Sequence, residues 1–230
     1  MVRSFILGTF NSLATGCRIT NPPVLTPTAR VVDEVEIIGG EGRLMRPRGW
    51  SLRTLTIGLL APTLEVIDQL AGVCATPGVE LRLSHLPGRF FLTASSAVSE
   101  VTRFGSRFQA TLEIACRPFT YLESGLTPIT LPAGGSVQVS NPSLIPARPT
   151  ITLTGSGQAT FRIGATPYTV RLPGSGELVI DCAARTCTVS GQIALDALTA
   201  TDFPVLPAGT TTVSVPAGVP GRLLPRWRHP

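Results

Sequence analysis

The sequence contains no lysine; all 19 of its basic residues are arginine. It is short of charge altogether, with 14% charged residues against roughly 25% in ordinary soluble domains. Histidine, tryptophan and tyrosine contribute two residues each. Nor does any stretch approach the roughly 20 apolar residues that a membrane helix needs; the most apolar region carries Glu65 and Asp68 in its middle. Each shortage excludes something. Too little charge and 43% apolar residues exclude a disordered chain. The missing apolar run excludes a helical membrane span. What remains is a chain of 230 residues, long enough for one large or two small domains. With a mean hydropathy of +0.30, it has little charge to spread over a free surface, so much of that surface is expected to be covered by a partner.

The formal net charge of +5 is a weak footprint for nucleic acid. The arginines are scattered, apart from Arg43, Arg46, Arg48 and Arg53, then Arg222, Arg226 and Arg228. No aromatic residues alternate with them as stacking platforms would, so specific nucleic-acid recognition is not expected. The five cysteines, Cys17, Cys74, Cys116, Cys182 and Cys187, are an odd number and do not resemble a secreted disulfide framework. Met1-Val-Arg-Ser carries one positive charge, but Gly8 and Asn11 break the apolar run of Phe5-Ile-Leu at once, so the start does not read as a signal peptide. Synthesis in a reducing cytoplasm is expected. Cys182 and Cys187 flank a tight turn and can sit opposite each other on paired strands. That spacing admits a disulfide but favours two buried thiols.

Alternation of apolar and polar residues dominates the chain. Over residues 31–38, Glu34 and Glu36 face one way and Val35 and Ile37 the other, the period of a half-buried strand. Gly39-Gly-Glu-Gly42 reads as a turn, and residues 54–59 as the next strand. One helix is expected, over 63–74, where Val66, Ile67, Leu70 and Val73 make an apolar stripe. Pro77-Gly78 ends it. Strands follow at 79–83, 90–94, 98–104 and 108–116. Residues 126–148 are rich in Pro, Gly and Ser and read as a linker or irregular crossover. Beyond them come short strands at 150–154, 160–163, 168–172, 177–182, 187–189 and 211–215. Gly155-Ser-Gly157 and Pro173-Gly-Ser-Gly176 read as the turns between them. Such spacing predicts a β-sandwich. The fold class is therefore mainly β, in two domains: residues 1–125, antiparallel β with one helix, and residues 126–230, a β-sandwich.

Chemistry is sparse. His229 is one residue from the end, so a Ser-His-acid or Cys-His site would depend on His85, for which no partner identifies itself. There is no Gly-x-Ser-x-Gly elbow, no phosphate-binding glycine fingerprint, and no second pair to make a zinc site with Cys182 and Cys187. A carbohydrate-binding surface would be expected to display exposed aromatics, and Trp50, where a strand begins, is one of few. No catalytic, cofactor-binding or metal-binding residues are assigned, and the chain does not read as an enzyme.

The order of segments resembles the distal tail protein (Dit) family of long-tailed bacteriophages. Glu34-Val-Glu-Ile-Ile-Gly-Gly-Glu-Gly-Arg43 is similar to the family's glycine turn after an acidic, apolar strand. Gly88-Arg-Phe-Phe-Leu-Thr-Ala94 and Phe108-Gln-Ala-Thr-Leu-Glu-Ile-Ala-Cys-Arg-Pro-Phe-Thr-Tyr121 resemble its later strands and the close of its first domain. In the second half the matches are Pro149-Thr-Ile-Thr-Leu-Thr-Gly-Ser-Gly157, Leu178-Val-Ile-Asp-Cys182, Phe203-Pro-Val-Leu-Pro-Ala-Gly209 and the ending Arg226-Trp-Arg228. The resemblance covers nearly the whole chain and departs from the family in the absence of lysine and in the proline-rich 126–148 segment.

The resemblance implies a structural protein of the virion, synthesised in the host cytoplasm and sited at the tail tip. It implies a homo-hexameric ring built by the N-terminal domains, with a galectin-like C-terminal sandwich projecting outward. The implied partners are the tail tube, the tail-tip hub and receptor-binding proteins. In such a ring Arg43, Arg46 and Arg48 are candidates for the subunit interface, with Glu34 and Glu36 as partners. The competing reading of these five residues is a set of solvated loop charges. Three other readings compete for the whole chain: a carbohydrate-binding, adhesin-like sandwich, an enzyme with a dispersed active site, and another ring of the tail such as a tube or tail-completion protein.

Overall fold

The structure is a computed structural model describing residues 4–21, 23–36 and 42–230. The expected turn at 39–42 and the end of the expected 31–38 strand, Ile37 and Ile38, lie largely outside the described residues, Gly42 alone being described. The chain divides into two compact units, residues 1–120 and 121–229.

Unit 1 contains β1 (Phe5–Leu7), β2 (Phe10–Asn11), β3 (Arg18–Ile19), β4 (Arg30–Glu36), β5 (Arg43–Trp50), β6 (Arg53–Ala61), α1 (Leu64–Cys74), β7 (Glu80–Leu83), β8 (Arg89–Phe104) and β9 (Arg107–Leu122), whose last two residues belong to unit 2. Its main sheet has the order β2-β1-β7-β8-β9-β6-β3. The period-2 pattern places the core. Leu55, Ile57 and Leu59 on β6 and Ala110, Leu112, Ile114 and Cys116 on β9 are buried, while Thr54, Thr56 and Glu113 face outward. Helix α1 lays Ile67, Leu70 and Cys74 on that core, with Phe5, Leu7 and Leu81. The strands expected at 90–94 and 98–104 are one strand, β8. The break in the pattern falls at Ser95-Ser96-Ala97, three small residues inside the continuous strand, and Glu100, further along it, adopts a φ of 55°.

Unit 2 contains β10 (Ile129–Leu131), β11 (Ser136–Asn141), β12 (Thr150–Ile163), β13 (Thr166–Asp181), β14 (Thr186–Val189), β15 (Gln192–Ile193), β16 (Leu198–Thr199), β17 (Gly209–Ser214), β18 (Gly221–Leu224) and β19 (Arg228–His229). Two long strands organise it. The first half of β12 pairs with β18 and with the second half of β13, which continues to β14 and β15. The far end of β12 pairs with β17, and the first half of β13 with β16. One hairpin thus serves both layers of the sandwich, and Ile151, Leu153, Phe161, Ile163, Val139 and Val213 share a single core.

Two sequence expectations change here. Gly155-Ser-Gly157 and Pro173-Gly-Ser-Gly176 are not turns between short strands. They face each other across the β12–β13 pair, at a register shift between Thr154 and Ser156. Gly155, Gly157, Gly174 and Gly176 all have positive φ, so these glycines bend two continuous strands from one layer to the next. Nor is 126–148 a linker. It holds β10 and β11 and the bridge between Ala147 and Leu206, and Leu131, Val139 and Ala147 are buried. Its prolines fall between short strands, where no ladder hydrogen bond is lost.

Candidate interaction surface

The described residues contain no cluster of His, Cys, Asp and Glu able to hold a metal ion. His85 is exposed. All five cysteines are free and buried. Burial pushes the Cys17 thiol up to about 11 and Cys116 and Cys182 up to about 12, the opposite of an activated nucleophile. Cys182 and Cys187 are not cross-strand partners; Ile180 stands opposite Cys187.

The feature that lacks a structural explanation within one copy is the arm formed by β4 and β5. The two strands make a two-stranded sheet of their own, pairing with neither main sheet. Register runs from Arg30 opposite Trp50 to Glu36 opposite Arg43, with an irregularity between Val31 and Val32 that leaves Arg48 as the extra residue. Opposed residues share a face. Val32, Glu34 and Glu36 therefore lie with Pro47, Met45 and Arg43, whereas Asp33 and Val35 lie with Arg46 and Leu44. Both faces are open: Val32 and Met45 are 40% and 57% exposed on one, Val35 and Leu44 47% and 57% on the other. The half-buried strand expected at 31–38 is thus an exposed ribbon. No single-face core covers it, and its partner strand, β5, is hidden in the sequence by Pro47, Gly49 and three arginines.

At its base the arm is tied down. Ser51 and Ala29 exchange hydrogen bonds, the Ser51 backbone N–H donating to the Ala29 carbonyl at 2.9 Å and the Ala29 N–H to Ser51 Oγ at 3.0 Å. The Trp50 ring meets Phe119 edge-on with centroids 5.7 Å apart, and the Arg30 guanidinium lies 5.4 Å from the Trp50 ring centre. Next to it, Arg53 is only 7% exposed. Its Nε donates to the Pro118 carbonyl at 2.9 Å, one terminal nitrogen donates to Thr120 Oγ1 at 3.3 Å, and the guanidinium faces the Phe91 ring. Burial lowers its pKa. In the sequence Arg53 falls in one group with Arg43, Arg46 and Arg48, and nothing local distinguishes it as the buried member.

The five candidate interface residues are all on the arm. Two ion pairs are made inside it, Arg43 with Glu34 and Arg48 with Asp33. Glu36 and Arg46 have no ion-pair partner among the described residues. Two depressions lie elsewhere on unit 1. The larger, about 720 Å³, is lined by Leu13, Cys17, Ile19 and Pro62 with Arg18 and Arg107. The smaller, about 240 Å³, lies on the outer side of the sheet and includes Thr54, Thr56, Ser95, Ala97, Glu113 and Ala115.

Neither a family model nor a curated protein matches the sequence. Solved structures do match the fold. A crystal structure of the Dit protein (gp 19.1) of phage SPP1, described as a paradigm of the hub adsorption apparatus of phages infecting Gram-positive bacteria, is similar with a TM-score of 0.67. It is 15% identical, over 97% of this chain and 98% of that one. Chains of the phage P2 baseplate in its activated conformation, one with Ca and one with Sr, match with TM-scores of 0.52. Their identities are 9% and 10%, again over 97% of this chain and 98% of each.

Proposed function

We propose that this chain, Dit-like in fold along its whole length, is a structural subunit of a phage tail tip. Six copies close into a ring through unit 1, the ring joins the tail tube to the hub, and the unit 2 sandwiches carry or contact receptor-binding proteins. The protein then acts by geometry and does no chemistry of its own, in keeping with buried, protonated thiols and an unaccompanied His85.

One observation carries the reading. A two-stranded ribbon is at best marginally stable in water, and this one exposes apolar side chains on both faces, with its outer backbone edges free to pair. A neighbouring subunit supplies what the ribbon lacks. In a closed ring the contact is heterologous, one patch of each copy meeting a different patch of the next, so every arm is covered and none is left over. Among the described residues, Glu36 and Arg46 are the interface candidates without an ion pair, Arg46 standing opposite Asp33, while Glu34, Arg43 and Arg48 are paired within the arm.

Light scattering of the purified protein over a concentration series tests this. Six copies of 24.2 kDa give about 145 kDa, and negative-stain images of that species are expected to show rings with six-fold symmetry. A protein that stays at 24.2 kDa at every concentration overturns the proposal.

A further inference from the structure

The main sheet of unit 1 ends on an open strand. In the order β2-β1-β7-β8-β9-β6-β3, the terminal strand β3 pairs through Arg18 and Ile19 with Leu60 and Leu59 of β6, and no described strand lies on its other side. Such an edge keeps backbone N–H and C=O groups available for pairing. The cavity of about 720 Å³ lies against it, lined by both Arg18 and Ile19. Consecutive side chains of a strand point to opposite faces of the sheet. A cavity that meets both therefore runs along the edge of β3 and not over one face.

The wall of the cavity is apolar at Leu13, Cys17, Ile19 and Pro62, and no acidic residue lines it. Register sets its charge. Arg18, Leu60 and Gln109 stand in one row across β3, β6 and β9, and Arg107, two residues before Gln109, projects from the same face. Neither arginine has an ion-pair partner among the described residues. The carboxylates this face offers stand further along β9: Glu100 accepts the Thr111 hydroxyl at 3.0 Å, and Glu113 is two residues beyond Thr111. A cavity of this size falls in the range that holds ligands. Its complement has an extended backbone, an apolar side chain and a carboxylate. The arm of a second copy does not supply that, since β4 and β5 carry four arginines against three carboxylates. A fatty carboxylate satisfies the wall and the arginines but leaves the backbone edge unpaired.

We infer that the β3 edge takes an extended acidic segment of another protein as an added strand, with an apolar side chain in the cavity and a carboxylate held by Arg18 and Arg107. Alternation in the incoming strand fits both demands at once, apolar residues falling on the Ile19 side and acidic ones on the Arg18 side. Main-chain pairing with β3 supplies affinity, and the cavity and the guanidiniums select the side chains. The site is separate from the arm and does not depend on the ring.

Titration calorimetry on the full-length protein tests it, with four probes. These are a blocked peptide of alternating valine and glutamate, the same peptide with lysine for glutamate, the acidic peptide N-methylated at alternate residues, and decanoate. The acidic peptide is expected to bind, more weakly as salt rises, and the other three to bind at least about tenfold more weakly. Joint Arg18→Glu and Arg107→Glu substitution is expected to keep the wild-type circular dichroism and to turn the preference to the lysine peptide. Arg18→Gln alone, the milder change, is expected to reduce the salt dependence. No binding of the acidic peptide at about 1 mM, equal binding of the lysine peptide, or a preference that survives both substitutions overturns the site. Methylated peptide or decanoate bound as tightly overturns the added strand. A fall in light-scattering mass when the acidic peptide is added assigns the edge to a second copy and overturns the inference too. The mass of the unliganded protein decides the ring separately.

Discussion

A single carboxamide organises the proline-rich entry to unit 2. Asn141 is 4% exposed, and its Nδ2 donates to the carbonyls of Ile145, Pro207 and Leu206 at 3.0, 3.1 and 3.3 Å. Its Oδ1 accepts the Ser143 N–H at 3.0 Å. The side chain does for three loop carbonyls what a sheet does for a strand, which is why so many prolines can sit nearby without orphaning backbone groups. Asn141→Ala removes this donor from the Ile145 and Pro207 carbonyls and the acceptor from the Ser143 N–H, while the Leu206 carbonyl keeps the Ala147 N–H. It is expected to cost about 2–3 kcal/mol, measured by urea unfolding. Nothing local in the sequence marks this residue, because Leu206 and Pro207 are 65 and 66 positions away. Arg53 is unreadable for the same reason: its acceptors on Pro118 and Thr120 come from a strand more than 60 residues later.

At the scale of elements, burial decided what could be read. Helix α1 and the strands β6 and β9 bury one face each, so their periods show, and the expected helix at 63–74 differs from the observed Leu64–Cys74 by one residue. β5 buries neither face and shows no period. The candidate charges on the arm were visible as residues, but their division into pairs formed within the arm and charges left over depends on register, which alternation alone does not set. Glycine was the other source of error, since a bend and a turn use the same positive φ. Gly176 separates the two. Its φ is 89°, and a Cβ there would stand 2.6 Å from the Ser190 hydroxyl oxygen. Gly176→Ala is expected to lose about 2 kcal/mol in thermal or urea unfolding, part backbone strain and part overlap. Adding Ser190→Ala is expected to restore the overlap part and leave the strain. If position 176 were an open turn, the second substitution would restore nothing.

For the whole molecule, the two units fold around separate cores. The buried cluster of unit 1 lies within residues 5–116 and that of unit 2 within residues 131–227. A fragment of residues 121–230 is therefore expected to unfold cooperatively by itself, at a denaturant midpoint close to its transition in the full chain. A fragment that is unfolded in buffer would show that unit 1 supplies part of its stability. The low overall charge belongs to this scale too. In the proposed ring, neighbouring subunits would complete that surface, which is what so little charge leads one to expect.

The shared strands of unit 2 bear on how it would yield under load. Two sheets that merely lie face to face can part along the seam between them, like a book opened at the spine. Here β12 and β13 run through both leaves, so no such seam exists. A pull on one layer passes along the backbone into the other, and the sandwich fails as one event or holds.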